Sequence, residues 1–226
     1  MRYLKLFQQK YKLKPDGVFG PNTLRKLSEV LNIRSKEHLA HFLGQVHVET
    51  GGFHSGRESM NYSVKDILGT FSSRRISKEQ ALKYCRTANQ PADEKAIANI
   101  VYGGAWGLKN LGNTQPMDGW FFRGNGAIQL TGRYNHQLFA NYIKMPTLMQ
   151  NPDLIMSDYY FESGVFFFNK KKIWDLCNVV TKEVIADQVS EAINLGRPNH
   201  PGVANHVDKR VHWTFHYYTL LQTIEL

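Results

Sequence analysis

The stretch 39-LAHFLGQVHVETGGFHSGRESM-60 runs from an apolar helical face into paired glycines and then a polar loop. Its reading sets that of the chain. Leu39, Phe42, Leu43 and Val46 recur at helical spacing and define one buried face. Ser35 suits the N-cap, Glu37 complements the dipole in the first turn, and Gly51-Gly52 supplies the stop. Glu49 follows Val46 by three residues, so it extends the apolar stripe and points to the interior or a cleft. Burial and the negative end of the helix dipole both favour its neutral form, which a general acid needs. Glu58 lies beyond the glycines in a polar loop beside Arg57. Both features favour the anion and suit a general base. Two carboxyls with opposed protonation preferences are the signature of glycoside hydrolysis.

Toward the N-terminus, 4-LKLFQQKYKLKPDGVFGPNTLRKLSEVL-31 reads as helix, turn, helix. Pro15-Asp16-Gly17 is a turn in which proline fixes φ and glycine permits positive φ. Pro21 suits the first helical turn, and Leu24, Leu27 and Leu31 repeat at helical spacing. Toward the C-terminus, 61-NYSVKDILGTF-71, 77-SKEQALKYCRTA-88 and 92-ADEKAIANIVYG-103 are expected to be helices. The glycine- and asparagine-rich 103-GGAWGLKNLGNTQPMDG-119 reads as a long surface loop. The best strand is 120-WFFRGNGAIQLTGRYN-135, where period-two alternation sends Ile128 and Leu130 to the core and Gln129 and Thr131 to a cleft. Further helices are expected over 153–170, 181–194 and 203–224. The fold class that follows is mainly α with a small β element.

The 226 residues suffice for one sizeable core, with or without a small appendage. A 42% hydrophobic and 12% aromatic content excludes a disordered chain. No apolar run reaches the roughly 18 residues of a membrane span, and the N-terminus shows no apolar core of a secretory signal. Cys85 and Cys177 belong to no CxxC or Cys/His cluster, so free buried thiols are expected. The net charge of +9 implies an anionic partner. The basic residues are dispersed and no zinc finger, RNP-like motif or basic heptad is present, so a cell wall or membrane face rich in phosphate and carboxylate suits the charge as well as nucleic acid does, and charge alone does not choose. The nine histidines lack HExxH spacing, and no metal is expected.

Two motifs carry resemblances. DGVFGPNTLRKL (16–27) resembles the core of the peptidoglycan-binding helical repeat, about half of which fits within residues 1–34. HFLGQVHVETGGF (41–53) with Glu58 resembles the family 19 glycoside hydrolases, which include plant-type chitinases and phage or bacterial endolysins. The resemblance continues through 111-LGNTQPMDGWFFRGNGAIQLTGRYN-135 and 193-INLGRPN-199, and covers residues 35–226. It implies a lysozyme-like, two-lobed helical domain that needs no cofactor. It also implies roles: Glu49 as general acid, Glu58 as base, and Thr131 holding the attacking water. Gln129, Tyr134, Asn135 and Asn194 become sugar contacts, and Arg210 steadies the second acid. Leu195 replaces the first glycine of the family's N-G-G triplet. Inversion then calls for carboxyls roughly 6.5–9.5 Å apart. The expected activity is hydrolysis of the β-1,4 glycan of bacterial peptidoglycan by a monomeric endolysin. Such an enzyme is made in the host cytoplasm and reaches the wall after a holin opens the membrane. A chitinase, a lytic transglycosylase and a non-catalytic wall-binding module are the alternatives.

Overall fold

A computed structural model describes all residues, 1–226, and the chain is mainly α. The helices are α1 (Arg2–Lys10), α2 (Pro21–Leu31), α3 (Lys36–Glu49), α4 (Val64–Thr70), α5 (Lys78–Tyr84) and α6 (Glu94–Val101). They continue as α7 (Gly104–Leu111), α8 (Asp118–Phe121), α9 (Arg133–Tyr142) and α10 (Leu154–Ser157). The last three are α11 (Tyr160–Lys170), α12 (Glu191–Asn194) and α13 (Val207–Gln222). A π-helix, Val184–Ser190, leads directly into α12. Extended pairing is limited to single antiparallel bridges, Arg57 with Asn125 and Asn125 with Leu130, and one parallel bridge, Ser63 with Arg86. No helix is long and apolar enough to cross a membrane.

The chain divides into two compact units. Unit 1 comprises Met1–Gly56, Gly126–Ile128 and Ser157–Leu226. Its centre is α3, whose residues Leu39 to His47 are all buried, packed along α13. Gly44 makes that approach possible: a Cβ there would lie 2.7 Å from the backbone N and Cα of Thr214. Ser35 caps α3 as expected, accepting the His38 N–H at 3.1 Å, and Glu37 stands in the first turn. Gly51 (φ +57°) and Gly52 (φ +81°) turn the chain away at its end. Residues 1–34 are built into this unit. Phe7 packs edge-on against Phe161, and Phe19 of the DGVFG motif is buried against Phe53 and Tyr217. The buried Gln8 side chain ties the motif turn together, reaching Asp16, Val18 and Thr23 while accepting the Gly17 N–H.

Unit 2 comprises Arg57–Asn125 and Gln129–Met156. Its core gathers Met60, Ile67, Phe71, Ile76, Ala81, Cys85, Ile97, Ala98, Val101 and Tyr102 from α4, α5, α6 and their flanks. Ser63 caps α4, and Ser77 with Gln80 forms a capping box on α5, satisfying backbone donors that the helix leaves unpaired. Cys85 and Cys177 are both free and buried, as their spacing implied.

Three expectations are corrected. The stretch 103–119 is not a loop, since it holds α7 and α8. Tertiary contacts override its poor helix propensity. Gly107 sits where any Cβ would collide with the Tyr102 carbonyl, and Gly112 (φ +65°) closes the helix in the left-handed conformation. The 120–135 strand is absent as well. α8 ends at Phe121, a tight turn joins Asn125 to Leu130, and α9 begins at Arg133. Positive φ at Gly126 (+84°), Gln129 (+31°) and Gly132 (+91°) rules out a continuous strand. The alternation of burial survives at four positions: Ile128 and Leu130 are buried, Gln129 is exposed and Thr131 half-buried. Finally, the helices expected over 153–170 and 181–194 are each divided, the first between α10 and α11 and the second by the π-helix.

Candidate active site

Unit 1 assembles one set of the expected residues. Glu49 is the last residue of α3, its side chain 21% exposed. Arg210, in the first turn of α13, is 2% exposed and places Nη2 2.6 Å from Glu49 Oε1. Its other donors are also met: Nη1 donates to Gln45 Oε1 at 2.6 Å and Nε to the Asn205 carbonyl at 2.8 Å. Gln45 lies four residues before Glu49, one turn back on the same face of α3. Its Nε2 donates to Ser190 Oγ at 3.0 Å, and Ser190 in turn donates to the Ile185 carbonyl five residues back. That five-residue step belongs to the π-helix, a distortion that is frequent at functional sites. Asn205 extends the network, its N–H donating to Asn194 Oδ1 at 2.8 Å. Glu49, Arg210 and Asn194 are therefore joined through backbone and side-chain hydrogen bonds.

One expectation about this group changes. Arg210 was assigned to the second acid, but its ion pair is with Glu49, the first.

Unit 2 assembles the second set. Glu58 is half-buried, and its two carboxylate oxygens have different donors. Tyr102 Oη donates to Oε1 at 2.6 Å and the Gly124 N–H to Oε2 at 3.1 Å. Gly124 also accepts the Glu58 N–H at 2.9 Å, so one residue holds both main chain and side chain of the acid. A Cβ at Gly124 would collide with Gln129 Oε1 and lie 3.2 Å from Glu58 Cβ, so glycine is needed for this approach. Thr131 Oγ1 donates to the Gln129 carbonyl at 3.1 Å, and Asn135 Nδ2 to the Thr131 carbonyl at 2.8 Å. Tyr134, on the first turn of α9, is 60% exposed and packs by its Cβ near Gly112. Glu58, Gln129, Thr131 and Asn135 thus share one connected group around the 124–131 turn. Arg57, expected to favour the Glu58 anion, pairs instead with Asp153.

The electrostatics of unit 2 are set by burial. Desolvation, then the neighbouring Glu58 charge, pushes the Tyr102 hydroxyl far above its ordinary range. It stays a neutral donor at any working pH. Arg123, stacked over Trp120 with its guanidinium 3.4 Å from the ring centroid, is lowered to about 10 by burial. His136 is lowered to about 4 by burial. No group of three or more His, Cys, Asp or Glu side chains is placed to hold a metal ion.

Sequence reasoning missed Gln45, Ser190 and Tyr102, and it read Gly124 only as a tight-turn residue at the entry to the 120–135 segment. For Gln45 a signal existed, because a polar residue four before Glu49 on an otherwise apolar face calls for a buried partner. The other two, and the hold of Gly124 on Glu58, are recognisable only once the chain is folded.

No family model matches the chain. It is 34% identical over 109 residues to a glycosyl hydrolase family 19 domain-containing protein of Haemophilus influenzae, strain Rd. Among solved structures it is similar to chitinase C from Streptomyces griseus HUT6037, with 15% identity and a TM-score of 0.44 over 97% of this chain and 76% of that one. At that score and identity the likeness says nothing of substrate. The alignment with the Haemophilus relative takes in 48% of this chain, and the chain spans half of that relative's length.

Proposed function

We propose that this chain is a glycoside hydrolase acting on β-1,4-linked amino-sugar glycans, with bacterial peptidoglycan as its substrate. The observation that carries the reading is the contrast between two glutamates nine residues apart. Glu49 is steered by a buried guanidinium and Glu58 by neutral O–H and N–H donors. Two carboxyls in unlike surroundings are what acid–base cleavage of a glycosidic bond requires. The similarity to a family 19 domain-containing protein supports it, as does the E-T-G-G turn after α3.

In this reading Glu49 protonates the glycosidic oxygen, Arg210 orienting its carboxyl group. Glu58 accepts a proton from water that Thr131 helps to hold, and the product inverts. Gln129, Tyr134, Asn135 and Asn194 contact the sugars. The net charge of +9 favours an anionic wall, and an endolysin that meets its substrate after membrane opening belongs to the same proposal.

Digestion of purified peptidoglycan, read by mass spectrometry and reducing-end assay, tests this. Wild type is expected to release fragments with free reducing ends, and Glu49→Gln and Glu58→Gln each to lower the rate by about 10²–10⁴-fold. Anhydro-sugar ends with an active Glu58→Gln would replace this reading by a lytic transglycosylase. Cleavage confined to soluble chitin oligomers would make it a chitinase. Wall binding with no released ends would make it a binding module.

A further inference from the structure

Resting on the assignment of Glu58 as the base, we propose that Tyr102 and Arg75 form a positioning pair, in which Tyr102 fixes the Glu58 carboxylate in one orientation and Arg75 backs the Tyr102 ring. Every contact involved lies within unit 2. Tyr102 follows α6 directly, and its carbonyl accepts Asn113 Nδ2 at 2.8 Å while α7 closes on it at Gly107. Its backbone is therefore locked, and its ring stands edge-on to Phe71 at 6.1 Å. From there Oη reaches Glu58 Oε1 at 2.6 Å, opposite the Gly124 N–H on Oε2. One donor on each oxygen defines the carboxylate plane. Each oxygen keeps a lone-pair direction for water.

Arg75 stands behind the tyrosine. Its guanidinium carbon lies 3.7 Å from the Trp106 centroid, 4.5 Å from Phe71 and 5.2 Å from Tyr102. Nε donates to the Val101 carbonyl at 2.8 Å, Nη2 is buried with no hydrogen-bond partner, and no carboxylate forms an ion pair with it. A half-buried cation without a counter-ion is costly to desolvate. Aromatic faces repay part of this, and the fields of Tyr102 and Glu58 favour its charge. That attraction is mutual, so removing the cation withdraws it from the Glu58 side as well. The other titratable groups that sense Glu58 are Tyr62 and Arg123.

The test is a carboxyl carbon-13 NMR titration, the Glu58 resonance assigned by its loss in Glu58→Gln, alongside the pH profile of reducing-end release. In Tyr102→Phe, the Glu58 titration midpoint and the acid limb of kcat/KM are both expected to move up by about one pH unit. Arg75→Met shifts both in the same direction by less, and Arg75→Lys restores much of the wild-type behaviour by returning the charge. Thermal melts separate stability from titration. If both variants lower the melting temperature and leave the Glu58 midpoint unmoved, the pair is structural and the proposal is overturned. Equal shifts in Arg75→Met and Arg75→Lys remove the role of the charge. The titration needs no substrate, so a wild type that releases no reducing ends refutes the glycosidase reading alone.

Discussion

Arg210 is the largest fully buried side chain, and each edge of its guanidinium meets an acceptor. A buried charge is tolerated only when paired and hydrogen-bonded in this way. The sequence marked Arg210 by its motif position, but not its partner, because Glu49 lies 161 residues away. His136 follows the same rule in neutral form. It is fully buried, donates Nδ1–H to the Gly132 carbonyl at 2.9 Å and faces Asn125 Nδ2 through Nε2 at 3.2 Å. Burial lowers it from 6.5 to about 4, so as pH falls the unfolded chain takes up the proton first. Stability is therefore held above about pH 6.5 and lost as pH falls from there to about 4, by about 3 kcal/mol from this group. Urea midpoints at pH 7 and pH 4.5 check it. His136→Gln is expected to be less stable at pH 7 but to lose less between the two pH values than wild type.

At the scale of elements, local signals worked where they were self-contained. Ser35, Ser63 and Ser77 cap α3, α4 and α5, and the apolar spacing of α2 and α3 marks their buried faces. Signals failed where a neighbouring element decided the backbone. α7 forms in spite of its glycines because Gly107 and Gly112 permit contacts that no other residue allows, and the 124–131 turn owes its shape to positive φ and the approach of Gln129 to Gly124. Gly44 shows what such a contact is worth. Gly44→Ala places a methyl 2.7 Å from the Thr214 backbone and forces α3 and α13 apart. Although alanine is the better helix former, the variant is expected to lose about 2 kcal/mol or more, read from the urea midpoint. Unchanged stability would mean that the two helices separate freely.

Taken whole, the molecule carries +9, its basic residues dispersed along the sequence. If the partner is an anionic wall, sedimentation with purified cell walls should show binding that weakens several-fold between about 0.1 M and 1 M salt, as the Debye length falls from about 10 Å to about 3 Å. Binding indifferent to salt would assign retention to specific sugar contacts instead. Composition, charge, unpaired thiols, helical class and the positions of the two acids were decided by the sequence alone, since each depends on residue type or on spacing within a turn or two. Which donors meet the acids was decided only by tertiary structure: Arg210 at Glu49, Tyr102 and Gly124 at Glu58. The reason is physical. Helical faces and caps are satisfied within a few residues, whereas a half-buried carboxylate takes its donors from wherever packing brings them, and that distance along the chain carries no periodic signal.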